Sequence, residues 1–171
     1  QYLLGSIYLE GKGISQDISK SIHYLELAAK HNHSQAQFDL GLIYYSGLYV
    51  KQTAMKGIDY LIQSSINMNI QACFVLGCFY IEGKYLMRDI KNSIHYYKEA
   101  SSFNNQYAKN NLGIIYKNGF EDKINPNIDY SIVILKDAIY RENDVLSMFN
   151  LAKIYFYENP YKNTIDEAIN L

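Results

Sequence analysis

The chain has 171 residues, of which 49% are apolar and 19% are charged. This is the length of one domain with a real core, and the composition is too apolar for a disordered chain. The formal charge of −1 argues against a general nucleic-acid binder, which needs a basic surface. No apolar run reaches the roughly 18 residues of a membrane span. We therefore predict a soluble globular domain that neither binds nucleic acid nor inserts directly into a membrane.

An internal repeat runs through the whole chain. A glycine recurs every 36 residues, at Gly5, Gly41, Gly77 and Gly113. A tyrosine keeps the same spacing, at Tyr8, Tyr44, Tyr80 and Tyr116. So does a second glycine, at Gly11, Gly47, Gly83 and Gly119. A fifth copy follows after 39 residues, with Ala152 and Tyr155 at the first two positions. Periods in this range are typical of helical-repeat arrays.

Each copy begins with the pattern of a helix. A small residue, a leucine and a tyrosine recur at steps of four, as in Ala36, Leu40 and Tyr44, which places them on one helical stripe. A glycine inside a helix costs about 1 kcal/mol relative to alanine. Its recurrence therefore indicates a close helix crossing where no Cβ fits. The second glycine of each copy predicts a left-handed cap that ends the helix.

A second helix follows in each copy. Its first turn is preceded by a residue that can cap the helix: Asp17, Thr53, Asp89, Asn127 and Thr164. A small residue stands four positions later and a large one three further on, as in Ser21 and Tyr24, a pattern that lets helices interdigitate. The predicted helices run up to residue 10, then over 17–30, 34–46, 53–67, 70–82, 89–103, 106–118, 127–141, 144–158 and from 164 to the end.

The combined motif resembles the Sel-1-like repeat family, a relative of the tetratricopeptide repeats. The pattern is Ala-x-x-x-Leu-Gly-x-x-Tyr-x-x-Gly followed by Asp-x-x-Lys-small-x-x-aromatic. The family's Gly-x-Gly turn is kept only at 11–13, and the loop from Gly119 to Asn127 is two residues longer than in the other copies. The resemblance implies an all-α, right-handed α-solenoid of about 4.5 repeats of 36–39 residues.

The repeat boundaries define a single array. They are 1–33, 34–69, 70–105, 106–143 and 144–171. Solenoids need polar caps on their terminal repeats. Neither end of this sequence has one, so we expect the array to be truncated at both ends, with flanking repeats in the same chain. The absence of a signal-like start favours the cytoplasm, while the sequon Asn32-His33-Ser34 leaves the secretory pathway or endoplasmic-reticulum lumen open.

No catalytic constellation is evident. Glu10 and Glu82 occupy one repeat position two copies apart, too distant for a carboxylate pair because packed helices lie about 8–10 Å apart. Cys73 and Cys78 are separated by roughly 140° around one helix and point apart. No glycine-rich phosphate loop is present. We therefore predict a protein that is not an enzyme, with no metal and no cofactor.

The first helices carry the candidate binding surface. In tetratricopeptide-like solenoids they line a concave groove, and the Leu-Gly anchor transfers that geometry to this chain. The predicted peptide-binding residues are Tyr2, Leu9, Phe38, Leu42, Tyr45, Phe74, Ile81, Tyr107, Asn110, Ile114, Phe149, Lys153 and Phe156. Phe38, Phe74 and Phe149 share one repeat position. Two readings remain open for them: aromatic anchors for a partner, or packing between neighbouring repeats.

The favoured function is a protein–protein interaction scaffold or adaptor that binds a peptide or protein segment in this groove. Two other classes stay open. The resemblance also fits a repeat region attached to an enzyme, or to a ubiquitin-ligase or degradation complex. A purely structural spacer is the third possibility.

Overall fold

The computed structural model describes residues 1–121 and 123–157. These residues form nine α-helices: α1 (Tyr2–Glu10), α2 (Ile18–Lys30), α3 (Ser34–Ser46), α4 (Ala54–Ile66), α5 (Ile70–Glu82), α6 (Ile90–Ser102), α7 (Gln106–Asn118), α8 (Ile128–Glu142) and α9 (Val145–Tyr157). Every described helix begins and ends within one residue of the prediction. The helix predicted from residue 164 lies outside the described residues.

The described chain is an all-α helical-repeat solenoid, as predicted. The only β-pairing in this part of the chain is an isolated bridge between Phe120 and Ile124. The chain forms two compact units, residues 1–88 and the residues from Asp89 onward. Within each unit, a second helix packs on the first helix of its own copy and on the first helix of the next. None of the described helices combines the length and apolar character needed to cross a membrane.

The recurring glycines lie at close helix crossings, which confirms that part of the prediction. A Cβ on Gly41 would lie 2.6 Å from Cγ of Leu61. A Cβ on Gly113 would lie 2.7 Å from Cδ2 of Leu135. Both leucines belong to the second helix of the same copy and are buried. Because real Cβ atoms do not approach other heavy atoms this closely, glycine is what lets the two helices meet.

The predicted caps of the second helices are confirmed at three of the four described positions: Asp17, Asp89 and Asn127. Asp17 Oδ1, for example, accepts a bond of 3.0 Å from the backbone N–H of Lys20. Thr53 stands at the cap position, but its side chain accepts no such bond, so that prediction is wrong. Its ψ is 74° where that of Asp17 is 97°, so the backbone at this cap differs from that at Asp17. Thr164 lies outside the described residues.

Three of the four predicted glycine caps have the left-handed conformation: Gly11, Gly47 and Gly83. Gly119 does not, because its φ of 68° is combined with a ψ of −173°. Here the longer loop takes a different path, in which the N–H of Phe120 donates to the carbonyl oxygen of Ile124 at 2.8 Å. The prediction of a left-handed helical cap is therefore wrong at Gly119.

Candidate functional site

In the second unit, the first helices of two successive copies lie side by side. Helices α7 and α9 pack against each other. Asn150 Nδ2 donates to Asn110 Oδ1 at 2.7 Å, which fixes their relative position. On α7, Tyr107 and Ile114 lie on the same helical stripe as Asn110. On α9, a second stripe begins at Phe149, the residue before Asn150, and continues through Lys153 and Phe156. The predicted residues of these two stripes, apart from Asn110, form what we call the α7–α9 face: Tyr107, Ile114, Phe149, Lys153 and Phe156.

The α7–α9 face exposes large apolar side chains. Tyr107 and Phe149 are each 56% exposed, Phe156 is 73% exposed and Ile114 is 36% exposed. Lys153 Nζ lies 4.3 Å from the centroid of the Phe149 ring, a cation–π contact. The face therefore combines exposed aromatic rings with one cation beside them.

Asn110 is a predicted binding residue that the structure places elsewhere. It is 3% exposed, and its side-chain oxygen accepts the bond from Asn150. It links α7 to α9 rather than presenting a side chain to a partner. Asn150, which donates this hydrogen bond, was not among the predicted residues. The sequence places it directly after the predicted residue Phe149, but nothing in the repeat pattern links it to Asn110.

In the first unit, the predicted residues are mostly half-buried: Tyr2, Leu9, Phe38, Tyr45, Phe74 and Ile81. Leu42 is the exposed one among them, at 37%. Tyr2 and Leu9 pack against the core cluster that includes Leu25 and Leu40. Tyr2 also stacks on His33, with ring centroids 4.3 Å apart. The packing between helices thus uses much of the apolar area of Tyr2 and Leu9.

Tyr45 belongs to an aromatic cluster between α3 and α5. Its ring stacks on Phe79 at 4.0 Å and meets Tyr85 edge-on at 5.3 Å. Gln52 Nε2 donates both to the Tyr45 carbonyl oxygen, at 2.7 Å, and to Tyr85 Oη, at 3.1 Å. Burial raises the pKa of Tyr45, so its hydroxyl stays neutral. Phe79 was missed because the four other copies have isoleucine at its position, and Tyr85 was missed because it lies in a turn after α5 and not on a first helix.

The repeat position three residues before the crossing glycine serves packing in two copies. Tyr2 and Asn110 both hold this position. Tyr2 stacks on His33, which precedes α3, and Asn110 accepts a hydrogen bond from Asn150 of the next copy. Burial raises the pKa of Asp39 of the next copy, while the hydrogen bond from Gln35 acts in the opposite direction. Phe149 holds the same position in the fifth copy but is exposed. This repeat position is therefore packed against other residues in some copies and open to solvent in another.

A charged cleft of about 260 Å³ lies between the second helices α2 and α4. Lys56 Nζ is 3.3 Å from Glu26 Oε1 and 3.7 Å from the centroid of Tyr44. Tyr44 Oη donates to the same carboxylate oxygen at 3.0 Å. Burial acts to lower the pKa of Lys56, but the hydrogen bonds with Tyr44 and Glu26 outweigh it and raise the pKa. Within the described residues, no three His, Cys, Asp or Glu side chains form a group that could hold a metal.

Copies of a two-helix unit that pack in series define an α-helical repeat protein. The family model described as Sel1 repeat matches five segments, residues 1–33, 34–65, 70–102, 106–133 and 145–169. The chain belongs to the Sel1 repeat family.

Solved structures with this fold come from several bacteria. A protective antigen of uropathogenic Escherichia coli with an SLR fold is 26% identical, with a TM-score of 0.84 over 91% of this chain. A Sel1 repeat protein of Oxalobacter formigenes is 19% identical, with a TM-score of 0.84 over 90% of this chain. Cysteine-rich protein B of Helicobacter pylori is 25% identical, with a TM-score of 0.55 over 73% of this chain and 88% of its own.

The chain is shorter than the first two of these proteins. It spans 33% of the Escherichia coli antigen and 62% of the Oxalobacter formigenes protein. No curated protein matches it in sequence.

Proposed function

We propose that this chain is a protein–protein interaction scaffold that binds a peptide or protein segment along its first helices, with the α7–α9 face as the main contact. The observation that carries the proposal is the exposure of Tyr107, Phe149 and Phe156 on two helices that pack directly against each other. Exposed apolar groups that cluster on one side of a folded domain mark interaction sites.

The chemistry of the α7–α9 face favours a partner segment with apolar side chains and a nearby carboxylate. Aromatic residues are enriched among the residues that dominate binding energy. The contact with Lys153 favours one position of the Phe149 ring, which reduces the side-chain freedom lost on binding. The lysine charge lies beside the ring and is exposed, which suits an acidic group in the partner. Membership of the Sel1 repeat family is consistent with this role.

The test selects binders without assuming a natural partner. A random peptide library displayed on phage is panned against the full chain, and the affinity of the enriched peptides is measured for the wild type and two variants. Phe149→Ala is expected to weaken binding about tenfold or more, as truncation of a hot spot does. Tyr140→Ala is the matched control, because Tyr140 is an aromatic residue on the second helix α8 and is 91% exposed.

The outcomes separate the candidate functions. Loss of binding with Phe149→Ala and full binding with Tyr140→Ala supports the proposal. Enriched peptides that bind both variants equally well would move the binding site off the α7–α9 face. A library that yields no binders at all is the result expected of a structural spacer, and it would overturn the proposal.

A further inference from the structure

The chain contains a single Asn-Gly dipeptide, Asn118-Gly119, at the point where α7 ends. In the other copies that have a glycine at this point, the residue before it is Glu10, Ser46 or Glu82. An asparagine before a glycine can react with its own backbone, because glycine has no side chain to shield its nitrogen. The fourth copy is therefore the one in which this chemistry can take place.

The backbone nitrogen of Gly119 lacks the hydrogen bond that its counterparts make. The N–H groups of Gly11, Gly47 and Gly83 donate to carbonyl oxygens of the preceding helix at 2.9, 3.1 and 3.0 Å. In the part of the chain that the structure describes, the N–H of Gly119 donates to no acceptor. Its ψ of −173° turns the chain away from the helix instead of closing a left-handed cap. This nitrogen therefore has no hydrogen bond to break before it reacts.

The two residues of the dipeptide are constrained very differently. The side chain of Asn118 is exposed and forms no hydrogen bond with the described residues, so it can turn its carboxamide carbon toward the nitrogen of Gly119. Gly119 is required by the loop, because a Cβ there would lie 2.6 Å from the carbonyl oxygen of Ile124 and 2.8 Å from Cδ of Pro126. The fold thus keeps the glycine and leaves the asparagine side chain free to move.

We propose that Asn118 is a site of covalent self-modification in the folded protein, where it cyclises with Gly119 and loses ammonia. The Gly119 nitrogen gives up its proton and forms a bond to Cγ of Asn118, and the side-chain nitrogen takes up a proton and leaves as ammonia. Water then opens the resulting cyclic imide at either of its two carbonyl carbons. One opening gives aspartate, and the other gives isoaspartate, in which the backbone runs through the former side chain.

The modification changes the end of α7. Either product places a carboxylate at the carbonyl end of the helix, where the helix dipole disfavours a negative charge. Isoaspartate also adds a methylene group to the backbone between α7 and the loop, which the N–H of Asn127 ties to the carbonyl oxygen of Tyr116 at 2.6 Å. The fourth copy should therefore lose stability as the protein ages. The site contains no residue of the α7–α9 face, so this proposal and the proposed function stand or fall separately.

The test compares the same dipeptide in two copies of one chain. The variant Glu82→Asn creates a second Asn-Gly at an exposed position, where the glycine N–H is bonded to the carbonyl oxygen of Phe79 at 3.0 Å. The folded full chain is aged at neutral pH, and peptide mapping by mass spectrometry follows the replacement of amide by acid at both positions. Two synthetic peptides, residues 113–124 and residues 77–88 with the same substitution, give the rate of each dipeptide without the fold.

Asn118 is expected to convert at a rate close to that of its peptide and to give both aspartate and isoaspartate. The asparagine introduced at position 82 should convert about fivefold or more slowly than its peptide, because a backbone hydrogen bond must break first. The proposal is overturned if the fold slows both positions equally or slows neither, or if aspartate forms at Asn118 without isoaspartate.

A variant of Asn118 separates this reaction from general ageing of the protein. Asn118→Gln keeps the amide but needs a larger ring to cyclise, so it should stay unmodified over the same time. The melting temperature of the wild type should fall as the modified fraction grows, whereas that of Asn118→Gln should stay at its starting value. An equal fall in both would assign the loss of stability to another cause and would contradict the consequence drawn for α7.

Discussion

A Cβ atom on Gly57 would lie 2.6 Å from the carbonyl oxygen of Gly41. These two glycines face each other where α4 crosses α3, and they leave no room for a side chain. The fourth copy solves the same crossing differently, since Ser131 Oγ donates to the carbonyl oxygen of Gly113 at 2.7 Å. The helices α3 and α4 thus meet through direct backbone contact, whereas α7 and α8 meet through a hydrogen bond from a serine hydroxyl.

Gly57→Ser is expected to destabilise the protein, although serine is the residue of three other copies at this position. The added Cβ would also meet the backbone nitrogen of Tyr45 at 2.6 Å, and backbone cannot rotate away. We expect a loss of about 1–3 kcal/mol, measured by urea denaturation. Ser131→Ala is the control, which loses one hydrogen bond and about 1 kcal/mol. An unchanged urea midpoint for Gly57→Ser would show that this crossing has room to spare.

Phe38→Ala and Phe149→Ala test two environments of one repeat position. Phe38 is half-buried on α3, whereas Phe149 is 56% exposed on α9. We expect Phe38→Ala to lower the melting temperature clearly and Phe149→Ala to lower it little, because only buried contacts are lost on truncation. Thermal unfolding followed by circular dichroism measures both. Equal losses would mean that Phe149 packs as Phe38 does.

The helices could be predicted from the sequence because the repeat shows the same boundaries several times. Local details that depend on backbone angles could not, as the missing cap at Thr53 and the altered turn at Gly119 show. Burial of a predicted site residue depends on its neighbour in the next copy. Asn110 is buried because Asn150 lies opposite it, and no periodicity within one helix reveals that pairing.

Lys109 and Asp137 form an ion pair in which the lysine is buried and the aspartate is partly exposed. Lys109 Nζ lies 2.6 Å from Asp137 Oδ2, and their side chains are 3% and 43% exposed. Asp137→Ala should cost about 1–3 kcal/mol, because the buried ammonium then keeps, among the described residues, only its hydrogen bond to Asn104 Oδ1 at 3.1 Å. Lys109→Met should be close to neutral, because Asp137 keeps Arg141 and water. Urea denaturation compares them, and a larger loss for Lys109→Met would contradict this account.

The ion pair between Lys109 and Asp137 makes the free energy of unfolding depend on pH under acidic conditions. The hydrogen bond from Lys109, followed by that from Arg141, lowers the pKa of Asp137 below its usual value. The folded state thus binds this proton less readily than the unfolded state. The contribution to stability is complete above the ordinary carboxyl pKa of about 4 and is lost as the pH falls through the lowered value. In Asp137→Asn, the free energy of unfolding should fall less steeply over this interval than in the wild type. Parallel curves would contradict the assignment.

Thr53→Asp should stabilise the protein by completing a missing cap. Asp17 and Asp89 hold the equivalent positions and accept bonds from first-turn N–H groups, whereas Thr53 does not. A carboxylate there also interacts favourably with the helix dipole. We expect a gain of about 0.5–1 kcal/mol, seen as a higher melting temperature, and a comparable loss for Asp89→Ala. No gain for Thr53→Asp would mean that the backbone at this cap cannot adjust.

The backbone contact between Gly41 and Gly57 also bears on how the chain folds. It joins helices that are neighbours in sequence and are connected by the short segment 47–53. Closing a short loop costs little entropy, and proteins with local contacts fold fast. We therefore expect α3 and α4 to dock early and to serve as the nucleus on which the adjoining copies assemble. Their backbone amides should then be the slowest in the first unit to exchange hydrogen with deuterated water.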